Sequence, residues 1–230
     1  ILNHTPTTDN YTTAKSSAAS DVYKRQRKQL SKGKMNNEEK VTNILMVGVG
    51  GQGVILASEI VSEVMMRAGC DVKKSEVHGM AQRGGSVNSH VRFGKKVYSP
   101  IIKKGEVDIL FSFEQLETMR YLDLLNEDPL ILVNNQKILP PSVTIGNDDY
   151  PDDIPHLLKN HYSRFILVDA LDAAQKAGNS KALNCAFIGA LSRCFDLDRK
   201  LWEDAISSML PSKLVELNLK AFEIGSTSND

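Results

Sequence analysis

Two glycine-rich stretches carry the residues whose types and spacing could do chemistry. The first is "GVGGQG", in which Gly48, Gly50 and Gly53 form a G-x-G-x-x-G array that also holds Gly51 and Gln52. In such an array the first two glycines permit a tight turn and close backbone approach, and the third lets a helix start pack on a strand. N–H groups exposed at that helix start attract an anion, so a phosphate or nucleotide would fit there. The alternative is a tight strand-to-helix turn without a ligand. The second stretch is "HGMAQRGGSVNSHVRFG". Arg83 offers a fork-shaped donor for carboxylate or phosphate, while Gly84, Gly85 and Ser86 form a loop able to approach another surface closely. Its alternative is an ordinary turn with a solvated arginine.

Other reactive side chains do not assemble into a catalytic set. NAD sites place an acidic residue about 20 residues beyond the glycine array, against the ribose; here Lys73 and Lys74 stand there and Glu76 is displaced. His78 precedes the second loop and could shuttle a proton, but it has no visible partner and reads as a bystander. His156 and His161 flank a proline-rich stretch without metal-ligand companions. Cys70, Cys185 and Cys194 are odd in number and widely spaced, which fits reduced, buried thiols rather than a disulfide framework, a zinc site or an iron–sulfur site. The expectation is therefore no catalytic residue, no metal ligand, and a binding surface made of Gly48, Gly50, Gly51, Gln52, Gly53, Arg83, Gly84, Gly85 and Ser86.

Strands and helices must position these loops. "NILMVGV" is a buried-type strand and "VILASEIVSEVMMRAG" a helix ending at Gly69. "DVKKSEV" reads as a second strand, and "SVNSHVRFG" as a third whose alternation sets Val87, Ser89 and Val91 on one face and whose polarity suits an edge or half-exposed position. "VDILFSF", "PLILVNN" from Pro129 and "RFILVDA" repeat the strand signal, with "EQLETMRYLDLL" and "LDAAQKAG", closed by Gly178, as helices. The segment from Leu139 to Pro155 reads as loop with room for a short extended piece. From Lys181 the pattern is helical, with Asp196 and Ser212 as candidate N-cap residues and Trp202, Leu201, Ile206, Leu214, Leu217, Leu219 and Phe222 as core or interface positions. Alternating strands and helices predict an α/β fold: a Rossmann-like, doubly wound, mostly parallel sheet with helices on both faces and a helical C-terminal segment.

Residues 1–40 are polar and aperiodic and are expected to be disordered. The chain opens at Ile1, Met35 stands just ahead of the first strand, and "SSAASDVYKRQ" is similar to translated adaptor or read-through sequence. The natural start is accordingly expected at Met35; a basic arm at Lys24, Arg25, Arg27 and Lys28 is the alternative. The folded domain is expected over residues 41–225, with a tail at 226–230. Lysine plus arginine, 28, equals aspartate plus glutamate, 28, so no excess of positive charge recommends nucleic acid or an anionic membrane as partner. With neither a long apolar span nor a secretory signal pattern, the sequence reads as cytoplasmic.

Several motifs in order, "GVGGQGVILASEI", "GMAQRGGSVNSHVRFG", "SPIIKKGEVDILFSFEQLE" and "LVELNLKAFEIG", resemble the gamma-type domain of 2-oxoacid:ferredoxin oxidoreductases from about Asn43 to Gly225. The resemblance is greatest to the branch acting on arylpyruvates such as indolepyruvate. It implies oxidative decarboxylation to an aryl-acetyl-CoA, with CoA as co-substrate and two electrons passed to ferredoxin. Thiamine diphosphate, Mg²⁺ and iron–sulfur clusters would then sit in a large alpha subunit, since this chain has no G-D-G…N-N motif and no cysteine cluster; Asn134 and Asn135 read as a strand end. The implied role is an accessory subunit, inactive alone, whose Gly50–Gly53 and Arg83–Ser86 loops face the partner or the CoA side of a shared active site. The alternatives are the gamma subunit of a pyruvate or branched-chain 2-oxoacid enzyme, a self-sufficient NAD(P)-binding oxidoreductase, and a stand-alone nucleotide-binding module.

Overall fold

A computed structural model of the chain describes residues 40–78 and 84–228. The expectations for residues 1–39, including Met35 and the basic stretch at 24–28, for Arg83 and for the side chain of His78 lie outside the described residues.

Apolar runs buried on both faces build a six-stranded sheet in the order β2-β3-β1-β4-β5-β6. Its strands are β1 (Thr42–Val49), β2 (Asp71–His78), β3 (Ser86–Gly94), β4 (Val107–Ser112), β5 (Leu125–Asn134) and β6 (Phe165–Val168). The β1/β4, β4/β5 and β5/β6 pairs are parallel, whereas β3 is antiparallel to both β1 and β2. The reason is the short connection from His78 to Ser86: a parallel neighbour needs a crossover of roughly a dozen residues or more. Of the two positions that its polar alternation suits, β3 is not the edge but an interior strand with Ser86, Asn88 and Arg92 half-buried. Val87, Ser89 and Val91 do share a buried face, and β2 with its lysines takes the edge.

Helices cover both faces, giving the doubly wound, mostly parallel arrangement predicted. They are α1 (Val54–Arg67), α2 (Gln115–Arg120), α3 (Pro141–Thr144), α4 (Ile154–His161), α5 (Ala170–Ala177), α6 (Leu183–Ser192), α7 (Arg199–Met209) and α8 (Ser212–Thr227). Ile44, Met46, Ile109 and Phe111 pack one way, against α1 and α5–α8. Leu45, Val47, Leu110 and Ile131 pack the other way, against α2 and α4. On the thicker face α6 and α8 cross backbone to backbone: a Cβ on Gly189 would collide with Phe222 O, and one on Gly225 with Ala186 O.

Several boundaries differ from the sequence expectation. Asp198, not Asp196, caps α7, its side chain accepting from Lys200 N–H, and Ser212 is the first residue of α8 rather than its N-cap, a place taken by Pro211 without a side-chain cap. The proline-rich segment holds the single turn α3, because Pro141 suits a first helical position. Trp202, Ile206 and Phe222 are buried and Leu201, Leu217 and Leu219 pack at the core margin, but Leu214 is exposed. The tail expected from 226 begins later, since α8 runs to Thr227. Among the described residues no helix is long and apolar enough to cross a membrane.

Candidate functional site

Ligand sites in open α/β sheets lie beyond the carboxyl ends of the strands, where neighbouring strands send their chains to opposite faces. Here that place is between β1 and β4: β1 continues into α1 on one face, and β4 into α2 on the other. The first glycine loop is the exit from β1, so the sheet brings it to the switch point.

Each glycine there has its own physical reason. A Cβ on Gly48 would stand 2.8 Å from Gln52 Oε1 and from Val54 Cγ2 and 2.9 Å from Phe113 Cβ, so this glycine is demanded by packing between strand ends. Gly51 has φ +104 with open space around it, which only its backbone conformation explains. Gly53 has φ +79 and a Cβ there would run into the side-chain amide of Asn184, which donates to Gly53 O at 3.3 Å. The third glycine thus fits the helix start to α6, and the expectation that it packs on the strand belongs instead to Gly48. No side chain caps α1, leaving the first-turn N–H groups free of a side-chain acceptor.

Gln52 braces this turn. Its Oε1 accepts the Val49 N–H at 2.7 Å, and its Nε2 donates to Phe113 O and to Gln136 Oε1, both at 3.0 Å. Asn134 Nδ2 donates to the same two oxygens, and Asn134 Oδ1 accepts the Ala170 N–H at 3.2 Å. An amide belt therefore ties the carboxyl ends of β1, β4 and β5 to the start of α5. Asn134 is the last residue of β5, the strand end that the sequence indicated.

The second loop is fastened to the first. Gly50 N–H donates to Gly85 O at 2.8 Å and Gly84 N–H donates to Gly50 O at 3.3 Å. Gly84 has φ +79, and among the described residues nothing stands within 4 Å of the place a Cβ would take. Ser86 opens β3, and its Oγ donates to Glu117 Oε2 at 2.5 Å and lies 3.1 Å from Tyr121 Oη. Of the nine loop residues expected, eight come together here; Arg83 lies outside the described residues.

A cleft of about 190 Å³ opens beside them. Its polar side is Ser86, Glu114, Glu117 and Arg120, and its apolar side is Val49, Leu116 and the segment from Ile138 to Pro141. Glu114, buried to 1 % exposure, caps α2: its carboxylate accepts Glu117 N–H at 2.8 Å, Tyr150 O–H at 2.6 Å and Ile138 N–H at 3.1 Å. Burial and the Glu114 charge together push the Tyr150 hydroxyl well above the ordinary tyrosine range. Burial also pushes the Glu117 carboxyl up, against the opposing pull of the Ser86 hydroxyl and of Arg120, whose Nε stands 3.2 Å from Glu117 Oε1. Two stacked carboxylates make this floor a poor seat for a second anion. In the sequence these glutamates, within "FSFEQLE", read only as part of an amphipathic helix start. A glutamate as N-cap followed by another three residues on is the signal that could have found them.

The remaining titratable groups stay apart from the site. His90, 9 % exposed in β3, accepts the Ile102 N–H on Nδ1, and burial followed by the Arg92 charge lowers its pKa. His156 and His161 are exposed on α4. Glu76 pairs with Lys74 at 2.7 Å on β2, and β3 lies between β2 and β1. Two strand spacings of about 4.8 Å thus separate Glu76 from the loop where a ribose would need it. Cys70 and Cys185 are free thiols, and Cys194 Sγ lies against Ala190 O; burial raises the Cys70 thiol and pushes Cys185 to about 12, the reverse of the thiolate that a metal cluster needs. Among the described residues no group of three or more His, Cys, Asp or Glu side chains is placed to hold a metal ion.

Comparison with known proteins bears on the same chain. The family model described as pyruvate ferredoxin/flavodoxin oxidoreductase matches residues 43–228. The indolepyruvate oxidoreductase subunit IorB of Archaeoglobus fulgidus is 44% identical over 189 residues, covering 80% of this chain and 92% of the relative. The IorB subunit of Thermococcus kodakarensis is 37% identical over 188 residues, 80% of this chain and 93% of that one. The crystal structure of a keto/oxoacid ferredoxin oxidoreductase gamma subunit from Geobacter sulfurreducens superposes with a TM-score of 0.59 at 27% identity, covering 80% of this chain and 95% of the other.

Proposed function

The chain belongs to the pyruvate ferredoxin/flavodoxin oxidoreductase family, and on that premise we propose that it is the accessory subunit of an indolepyruvate:ferredoxin oxidoreductase. In the proposed overall reaction an arylpyruvate loses its carboxyl group as CO₂, its acyl carbon bonds the sulfur of CoA, and two electrons pass to ferredoxin. The observation that carries this reading is the extent of the likeness to the Archaeoglobus subunit, which spans nearly that whole protein. A cytoplasmic location, where thiols stay reduced, belongs to the same proposal.

The residues present do not fit the redox and thiamine groups of such an enzyme. Cys185 is buried with its thiol held protonated, and the glutamates of the cleft are engaged by Ser86, Arg120, Tyr150 and backbone N–H groups. In this proposal thiamine diphosphate, Mg²⁺ and the iron–sulfur clusters therefore belong to a large alpha subunit, which also meets ferredoxin. The coupled loops, Gly48 to Gly53 and Arg83 to Ser86, are the surface offered to that subunit or to the CoA side of the shared active site.

The test is turnover by the reconstituted pair with indolepyruvate, phenylpyruvate, pyruvate and a branched-chain 2-oxoacid, each with CoA and ferredoxin. Preference for the aryl substrates in kcat/KM is expected. Preference for pyruvate or the branched-chain acid transfers the subunit to that enzyme. A self-sufficient NAD enzyme is disfavoured by the strand that separates Glu76 from the glycine loop.

A further inference from the structure

We propose that residues 95–106 form a strap latched to the sheet by His90, and that a proton taken up by His90 releases it. The inference concerns the amino end of the sheet and stands apart from the heteromeric reading above.

β3 ends at Gly94 and β4 begins at Val107, and the strap joins them on the face that carries α2 and α4. There α2 reaches β1, β4 and β5 and α4 reaches β6, while the strap covers β3. Ile102, 4 % exposed, is its inward side chain and packs with Leu45 and Val107, whereas Tyr98 and Ile101 are exposed. Side chains hold the strap at three places. Asp71 Oδ2 accepts the Val97 N–H at 2.9 Å, Arg92 Nη1 donates to Ser99 O and to Ile101 O, both at 3.0 Å, and His90 Nδ1 accepts the Ile102 N–H at 3.2 Å.

Of these three, the histidine is the one that titrates near neutral pH. Lys73 and the Val97 N–H hold the Asp71 carboxyl low, at about 2, and a guanidinium keeps its charge throughout. His90 accepts only while its ring is neutral, because a proton on Nδ1 sets one N–H against another. With the strap closed, burial first and then the Arg92 charge lower the His90 pKa. Among the described residues the other ionisable groups on this side are engaged or exposed. On β2 Lys73 pairs with Asp71, at the end of the strap Glu106 stands 3.9 Å from Arg92, and Tyr121 bonds to Asn88 on β3. The strap's lysines are exposed, and β1 sets Leu45 opposite the ring. Opening hydrates the imidazole and returns it toward its ordinary value, so the open form binds the proton more tightly and gains population as pH falls.

The test is hydrogen exchange of the Ile102 amide in the full chain as pH is lowered, under conditions where reclosing outpaces exchange. Base-catalysed exchange slows about tenfold per pH unit at an amide whose opening ignores pH. Below the ordinary histidine value of about 6.5, an opening that takes up one proton grows about tenfold per unit, so at Ile102 the two trends cancel and the rate levels off. The Leu110 amide in β4, which the strap does not release, is expected to keep slowing. His90→Asn keeps an acceptor near the Nδ1 position without a titrating ring, and its Ile102 amide is expected to slow as Leu110 does. Continued slowing at Ile102 in the wild type, the same levelling at Leu110, or levelling that persists in His90→Asn overturns the latch. The comparison of the two wild-type amides decides the matter even where His90→Asn fails to fold.

Discussion

Gln52→Ala tests whether the first glycine loop is held by its brace or by the turn alone. The substitution removes three hydrogen bonds, but their consequences differ. Phe113 O and Gln136 Oε1 keep the Asn134 amide as donor, whereas the Val49 N–H loses the side-chain acceptor that it has now. An orphaned N–H costs about 1–3 kcal/mol and two shared bonds contribute on the order of 1 kcal/mol together, so a loss of about 2–4 kcal/mol is expected. Gln52→Glu sharpens the test. Its carboxylate would place an oxygen against Phe113 O and Gln136 Oε1, making it more destabilising than Ala near neutral pH. The gap narrows as pH falls through the carboxylate range, because the protonated acid can donate. The assay is urea unfolding followed by the single tryptophan, Trp202, which is buried and changes environment on unfolding. A Gln52→Ala midpoint within about 0.5 kcal/mol of wild type, the range of a neutral surface change, refutes the brace.

Other substitutions separate conformational demand from packing demand. Gly51→Ala should cost only the left-handed backbone strain, about 1–2 kcal/mol, whereas Gly53→Val adds a collision with Asn184 and should abolish most soluble yield. Gly225→Ala should lower the melting temperature strongly through its collision with Ala186 on α6; a melting temperature near wild type would mean that the two helices can separate. Glu117 should make the fold pH-dependent. Because burial raises its folded pKa, the native chain holds this proton more tightly than the unfolded chain, and the associated stability falls as pH rises from the ordinary glutamate range through the folded value. Glu117→Gln should remove that fall, and parallel melting profiles for the two proteins across pH would contradict it.

The fold was legible because its signals are local. Continuous apolar strands such as "NILMVGV" are buried on two faces, and glycines at 69 and 178 end helices in the left-handed conformation. The place of β3 was not legible, since polar alternation records how a strand's faces are used and not which strands flank it. The connection to Ser86, too short for a parallel crossover, was the overlooked signal. In the site, two glycine-rich loops were legible, but not that they meet through the bonds of Gly50 to Gly84 and Gly85, because that pairing depends on the antiparallel return of β3. Gln52 stands among the expected binding residues, but its bracing role was not legible, because its partners Phe113 and Gln136 become neighbours only when β1, β4 and β5 align. The acidic floor was missed for a related reason. Glu114 and Glu117 look like an ordinary helix start until burial and the approach of Ser86 give them their chemistry.

The most direct measurement purifies the chain alone and again with the large subunit, then records the visible spectrum and arylpyruvate- and CoA-dependent ferredoxin reduction of each. A colourless, inactive chain and a brown, active complex are expected. An iron–sulfur absorbance, bound thiamine diphosphate or turnover in the chain purified by itself would contradict the accessory role.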